Sequence, residues 1–362
     1  MRLRSGMDIQ LSAEQRAFRE SCGKLAADLA ARWRLGRGPH DVASPVPDEA
    51  SWSRVAEAGW LALRLYEENG GAGASTVDVT VLVEQLGYHA VAAPVLGTII
   101  AAEQLQTWQA PPGLLQEIAE GAVRVAPALD RDLTGFAGTA TGAVAWDAAG
   151  AEVAVIPASG AVHGLGGPLP FADLTREVRP LTGRPVDPSS LTLTAPGDDA
   201  AARLDAFALS LLTADLLGTM QAALDAALDH ARTRVQFGAP IGSFQAVQQL
   251  LADSHVLVEA TRSASYYAAW AADALDGRGA SRAARTAKAF ASRSAVEVCE
   301  NAVQVFGGIG MTWEAPAHVR LRRAHADRRV LGDEHHHQGV IADTEFSGPA
   351  DDGRAETDLS RS

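Results

Sequence analysis

Residues 230–247 read HARTRVQFGAPIGSFQAV, and residues 302–313 read AVQVFGGIGMTW. The first stretch sets Arg234, Phe237 and Gly238 just after a long amphipathic run. The second places Gln304 three residues before the pair Gly307 and Gly308. Glycine lets a backbone approach a ligand closely or take a left-handed turn. Arginine offers a planar fork of donors that matches a phosphate or pyrophosphate. Together the two stretches describe two sides of a dinucleotide site. Neither fits G-x-G-x-x-G or a P-loop, so a strand-turn-helix nucleotide fold is unsupported.

Working outward, the chain is helical on both sides of a β-rich middle. Ser12 is placed to cap a first helix, with Glu14 in its opening turn. Phe18, Cys22, Leu25 and Leu29 recur at helical spacing. Helices are expected over 49–59, over 77–88 and from the break at Pro94 to Trp108. The stretch WLALRLYEENGGAGAS (60–75) reads as a short extended piece ending in a glycine-rich loop. Near Gly121 the composition changes. VRVAPAL (123–129), GTATGAVAWD (138–147), EVAVIP (152–157) and SLTLTA (190–195) read as strands punctuated by Gly, Pro and Asp.

From Ala200 to Asp343 the pattern is helical again, with Leu217, Met220, Leu224 and Leu228 on one stripe. Further helices are expected over 247–275, 282–306 and 315–330. Such lengths suit a four-helix bundle. The fold class is therefore α+β and mainly α. It divides into an N-terminal helical domain (1–120), a small middle β domain (121–199), a C-terminal four-helix bundle (200–345) and a disordered tail (346–362).

Bulk properties narrow the function. The 362 residues are 47% hydrophobic and carry a net charge of −13, enough apolar material for a large core. No basic patch marks a nucleic-acid partner. Two distant cysteines, Cys22 and Cys299, exclude a disulfide scaffold and fit a reducing cytoplasm. The N-terminal residues do not read as a signal peptide. No apolar run reaches the ~18 residues of a membrane span. His335, His336 and His337 are consecutive, so they do not converge on one ion, and no metal site is expected. Tyr266, Tyr267 and Trp270 read as a core stripe rather than an acyl pocket.

The order of domains and four segments resemble the acyl-CoA dehydrogenase family of flavoproteins. The segments are AEAGWLALRLYEENGGAGAS (56–75), VLVEQLGYHAVAAPVLGT (81–98), RVQFG with the following FQAVQ, and QVFGGIGMTWE (304–314). The resemblance implies FAD shared across a subunit interface. The flavin ring lies between β domain and bundle, and the ADP half reaches the bundle of the next subunit. Arg234 would then pair with the pyrophosphate. Phe237, Ile241 and Phe244 would flank the adenosine half, and Gln304, Gly307 and Gly308 would line the opposite side.

Two departures from the family pattern matter. The reaction needs a carboxylate base near the substrate α-carbon. Leu331 holds the position of the usual glutamate, ahead of Gly332. The alternative position, on the first bundle helix, falls near Ala208, with Asp205 and Asp215 several residues off. The Thr-Glu-Pro-x-Ala-Gly-Ser-Asp segment that contacts the flavin ring is missing from residues 123–150, where Trp146 is the tryptophan that could echo a family one.

The resemblance is therefore to the base-lacking subunit of an α2β2 heterotetramer. Such a subunit supplies ADP-binding residues while a related partner supplies the base and ring pocket. The implied reaction is α,β-desaturation of an acyl-CoA, including bulky steroid side-chain esters, with electrons passing to an electron-transfer flavoprotein. Two alternatives stand beside it: a self-sufficient homo-oligomer using Asp333 or Glu334 as a displaced base, and a scaffold subunit without flavin.

Overall fold

The computed structural model describes residues 10–33, 44–156, 161–185 and 193–346. Its core is α6 (Asp198–Thr233), which packs against α7 (Gln245–Ala274), α8 (Gly277–Phe306) and α9 (Ala317–Arg329). Leu217, Met220 and Leu224 of α6 are at most 2% exposed, as their spacing predicts. α6 is long and apolar enough to cross a membrane by composition, but 94% of its apolar window is buried within the protein. A last helix, α10 (Glu334–Phe346), lies on α8.

The N-terminal helices are α1 (Ala13–Arg32), α2 (Glu49–Glu57), α3 (Thr76–His89), α4 (Val95–Thr107) and α5 (Pro112–Ala119). Ser12 and Gln15 form a reciprocal capping box at the start of α1. α3 lies directly on α6 because glycines face each other there. A Cβ at Gly218 would stand 2.0 Å from the Glu84 carbonyl oxygen, and one at Gly87 would stand 2.2 Å from that of Asp215. Ala is the better helix former by about 1 kcal/mol, but backbone cannot move aside cheaply. Gly218→Ala is therefore expected to lose about 3 kcal/mol or more, read as a lower urea midpoint. The same interface holds Glu84, which accepts from Arg19 (2.9 Å), Arg262 (2.6 Å) and the Tyr266 hydroxyl (2.8 Å). Tyr266 is thus buried at a helix junction, whereas Tyr267 is exposed.

Between the helical regions sits a closed barrel of β1 (Val125–Leu129), β2 (Val144–Ala145), β3 (Val153–Ile156), β4 (Ala161–Leu165) and β5 (Arg179–Pro185), in the order β1-β2-β5-β4-β3. β1 pairs parallel with β3, and the other neighbours are antiparallel. The barrel rests on α4 through β1 and β3.

Several readings of the sequence are corrected. Residues 60–75 are not extended. They form turns with a 3-10 turn at Glu67–Asn69, and the glycine loop folds back so that Gly73 donates to the Leu65 carbonyl (2.8 Å). β4, β5, α5 and α10 lack the alternation or length that would announce them. Leu193 and Thr194 lie outside any strand, and the rest of the proposed strand start (190–192) lies outside the described residues, as does the tail from 347.

Candidate functional site

Arg234 caps the C-terminus of α6. Its N–H donates to the His230 carbonyl and its carbonyl accepts from Ile241, both at 2.8 Å. The chain then forms a hairpin, β6 (Val235–Gln236) and β7 (Ala239–Pro240), whose turn residues Phe237 and Gly238 have φ of 51° and 80°. Two successive positive φ values are the requirement of the tightest hairpin turn. Glycine meets it without cost, but phenylalanine pays about 1–2 kcal/mol. Phe237 is also 95% exposed, and its ring meets that of Phe244 edge to face at 6.2 Å. Ile241 is partly buried and packs on the bundle core.

The second stretch lies beside the first. The Phe306 ring at the end of α8 stacks on His230 near the end of α6, centroids 4.6 Å apart. Gln304, Gly307 and Gly308 are exposed. Gly307 closes α8 with φ +66°, and a Cβ at Gly307 or Gly308 would meet nothing within 4 Å. The backbone there faces open space. Arg234 is exposed and makes no ion pair among the described residues. An unpaired fork, two aromatic rings and an open glycine backbone at one end of the bundle fit the phosphate and adenosine half of a dinucleotide.

The seam between barrel and bundle is different in kind. Six fully buried charges meet there: Asp147 after β2, Asp173 and Arg176 between β4 and β5, Asp215 on α6, and Arg323 and Asp327 on α9. Arg323 grips Asp215 through two hydrogen bonds of 2.9 and 2.7 Å and donates to Thr175 at 2.6 Å. Arg176 lies 3.0 Å from Asp215, 3.4 Å from Asp147 and Asp173, and 3.7 Å from Asp327. Its guanidinium also covers the buried Trp146 ring at 4.6 Å. Asp147 in turn accepts from the Gly97 N–H of α4 (2.8 Å).

Four carboxylates face two cations. Neither Asp327 oxygen receives an N–H or O–H from elsewhere. Burial pushes its carboxyl well above the ordinary range despite Arg176, and the neighbouring Asp215 carboxylate raises it further. Burial opposes ionisation of Asp215 too, but Arg323 and Arg176 outweigh it and hold that carboxyl far below the ordinary range. Sequence reading missed this cluster, apart from naming Asp215 and Trp146. Its local signals are Arg323 four residues before Asp327 and Asp173 three residues before Arg176, and these pairs lie far from each other and from Asp147 and Asp215 along the chain.

The position that the resemblance assigns to the base is apolar. Leu331 is 6% exposed and belongs to the core cluster that holds Trp146 and Phe207. It adopts φ 56° and Gly332 adopts φ 99°. Buried Lys288 pins this turn, donating to the Arg328 and Gly332 carbonyls and to Ser292 at 2.9–3.1 Å. Burial pulls its ammonium down to about 7. Ala208 is fully buried, and Asp205 lies near Arg285 at 3.8 Å.

Asp333 caps α10, accepting from the His335 and His336 N–H groups at 3.1 and 3.0 Å. Chiefly the His336 bond holds its carboxyl below the ordinary range. Burial opposes ionisation of Glu334, but its two-pronged pair with Arg328 wins and lowers it. Both carboxylates are engaged in ways that weaken them as bases. His335 and His336 are exposed on α10 and His337 is buried.

This fold and these segments define the class. Residues 12–109 match the model of the acyl-CoA dehydrogenase N-terminal domain, and residues 206–345 match that of the C-terminal domain. The chain belongs to the acyl-CoA dehydrogenase family. It is 30% identical over 329 residues to the acyl-CoA dehydrogenase IpdE2 of Mycobacterium tuberculosis, covering 88% of this chain and 93% of that protein. Among solved structures it is similar to the ChsE4-ChsE5 complex of the same organism, with 25% identity, TM-score 0.78 and coverage of 95% of this chain and 100% of that one. It also shares the fold of the Tcur3481-Tcur3483 steroid ACAD (G363A variant), with 24% identity, TM-score 0.75 and coverage of 91% and 97%.

Proposed function

We propose that this chain is the base-lacking subunit of a heteromeric, FAD-dependent acyl-CoA dehydrogenase. It supplies the ADP-binding half of the cofactor site to a related partner that carries the glutamate. FAD, when bound, accepts the hydride from the substrate β-carbon. Arg234 holds the pyrophosphate, Phe237 and Phe244 with Ile241 behind them cover the adenosine half, and Gln304, Gly307 and Gly308 line the other wall. The α-proton leaves to the partner's carboxylate, giving a trans-2-enoyl-CoA. Electrons then pass to an electron-transfer flavoprotein.

One observation carries the reading: the nucleotide-tail half is open and unpaired, while the barrel–bundle seam of the same chain is packed with buried charges around Trp146. Leu331 at the base position agrees with it. The likeness to the ChsE4-ChsE5 complex supports a heteromeric assembly.

Expression tests the reading directly. The chain alone is expected to be colourless and to reduce no dye with an acyl-CoA. Co-expressed with a family member that carries the glutamate and the flavin-ring segment, it is expected to yield a yellow, active complex. A yellow and active homo-oligomer would restore Asp333 or Glu334 as a base. A colourless complex would favour a scaffold.

A further inference from the structure

Arg320, on α9, is a partly buried cation without a bonded counter-charge. Its Nε is sealed from solvent and has no hydrogen-bond partner, and the side chain makes no ion pair among the described residues. The buried arginines of the barrel–bundle seam differ: Arg176 and Arg323 stand 3.0 and 2.7 Å from Asp215.

The groups that could neutralise Arg320 are already committed. Burial pushes the Cys299 thiol of α8 up to about 12, so it carries no charge near neutral pH. Burial also raises the Tyr88 hydroxyl, which donates to Asp225 at 2.9 Å. The other Asp225 oxygen accepts from Gln221 at 2.8 Å. His89, beside Tyr88, is drawn below its ordinary value by burial and then by Arg320. Burial draws the guanidinium itself below the ordinary arginine value, while Cys299, Tyr88 and Asp225 oppose that shift. A charge taken out of water without a bonded partner is unfavourable. Its counter-ion is therefore expected from outside the chain.

Tyr88, His89 and Asp225 also line a groove of about 740 Å³ between α1, α3 and α6. Two of its cations are spent within the chain: Arg19 on Glu84 and Lys24 on Glu20. Arg16 donates to the Leu11 carbonyl and makes no ion pair among the described residues. That leaves Arg16 and Arg320 facing one carboxylate, Asp225, whose oxygens are taken. The local excess is positive in a chain of net charge −13.

The groove also lies near the cofactor half-site. Asp225 precedes the Arg234 cap by nine residues on α6, about 13 Å along the helix axis. A subunit that shares the dinucleotide at Arg234 is within reach of the groove.

We propose, on the basis of the two-subunit reading above, that this groove docks an acidic segment of the partner subunit, one of whose carboxylates completes Arg320. Charge complementarity of this kind fixes the choice and register of a partner, and the guanidinium fork suits a carboxylate.

The dissociation constant of the co-expressed complex, read by sedimentation of a dilution series, tests it. Arg320→Met keeps the length and apolar stem of the side chain and removes the charge. It is expected to weaken assembly about tenfold or more, while the urea midpoint of the chain alone stays unchanged or rises, because no internal pair is lost. Arg320→Lys is expected to fall between the two.

Undiminished assembly of Arg320→Met would overturn the docking role alone, leaving the two-subunit reading in place. A lower urea midpoint of the Arg320→Met chain by itself would overturn it by making the arginine structural. A melting temperature that rises with inorganic phosphate in the isolated wild-type chain, and not in Arg320→Met, would overturn it in favour of a small anion. Failure of the wild-type chain to assemble with a glutamate-carrying partner would sink the two-subunit reading and the docking role with it.

Discussion

Replacing Arg234 by alanine is expected to strip FAD from the complex this chain forms with its partner, leaving the protein folded and colourless. The size of the loss follows from what the side chain does. Arg234 is exposed and makes no ion pair among the described residues, so removing it costs the fold little. Against a pyrophosphate it contributes charge-assisted bonds, each about 1.5–3 kcal/mol. A loss of about 2–4 kcal/mol corresponds to roughly 30- to 1,000-fold weaker binding. Lysine keeps the charge but not the planar fork, so Arg234→Lys is expected to fall between the two. The flavin absorbance per complex after gel filtration reads all three proteins. Undiminished flavin in Arg234→Ala would sink the assignment of this end of the bundle.

The second large effect belongs to the buried seam. Arg323→Ala is expected to cost about 3–5 kcal/mol, because it strands Asp215 and Thr175 without their donors in a place water does not reach. The measurement is the free energy of unfolding in urea. Asp327→Asn is expected to behave oppositely, changing stability by less than about 1 kcal/mol near neutral pH, because the amide removes a buried carboxyl that burial keeps from ionising.

The pH dependence separates the two carboxyls. Asp327 has a raised folded pKa, so its contribution is complete below the unfolded value near 4 and is lost as pH rises through the raised value. Asp215 has a depressed folded pKa, so its contribution is present above that unfolded value and is lost as pH falls toward its own. Wild type is therefore expected to lose more stability on the alkaline side than Asp327→Asn does. Equal alkaline slopes would show that Asp327 carries no proton in the folded protein.

Much of the architecture was legible because it is local. The cap at Ser12 and the apolar stripe of α6 are each written within a few residues. The strands were less legible. β2 is two residues long, and β4 and β5 are closed into the barrel by pairing between distant segments rather than by their own alternation. The glycine loop at 70–73 was misjudged as the end of an extended piece because its hydrogen bonds run back to residues 62–65, a partner set that composition does not announce.

The same division runs through the candidate site. Arginine, aromatic rings and paired glycines are residue types with few alternative uses at that spacing, and the substitution of leucine for a carboxylate is plain from residue identity. What sequence could not supply is proximity. His230 had to stack on Phe306 before the two motifs became neighbours. Asp147, Asp173, Arg176, Asp215, Arg323 and Asp327 became one structure only when the barrel closed on α6 and α9. Whether a carboxylate acts as a base, a cap or half of a buried pair depends on solvation and on the charges packed around it. Those are properties of the folded interior, so the chain alone determined its family and most of its helices, and tertiary packing decided which of its charges remain free to act.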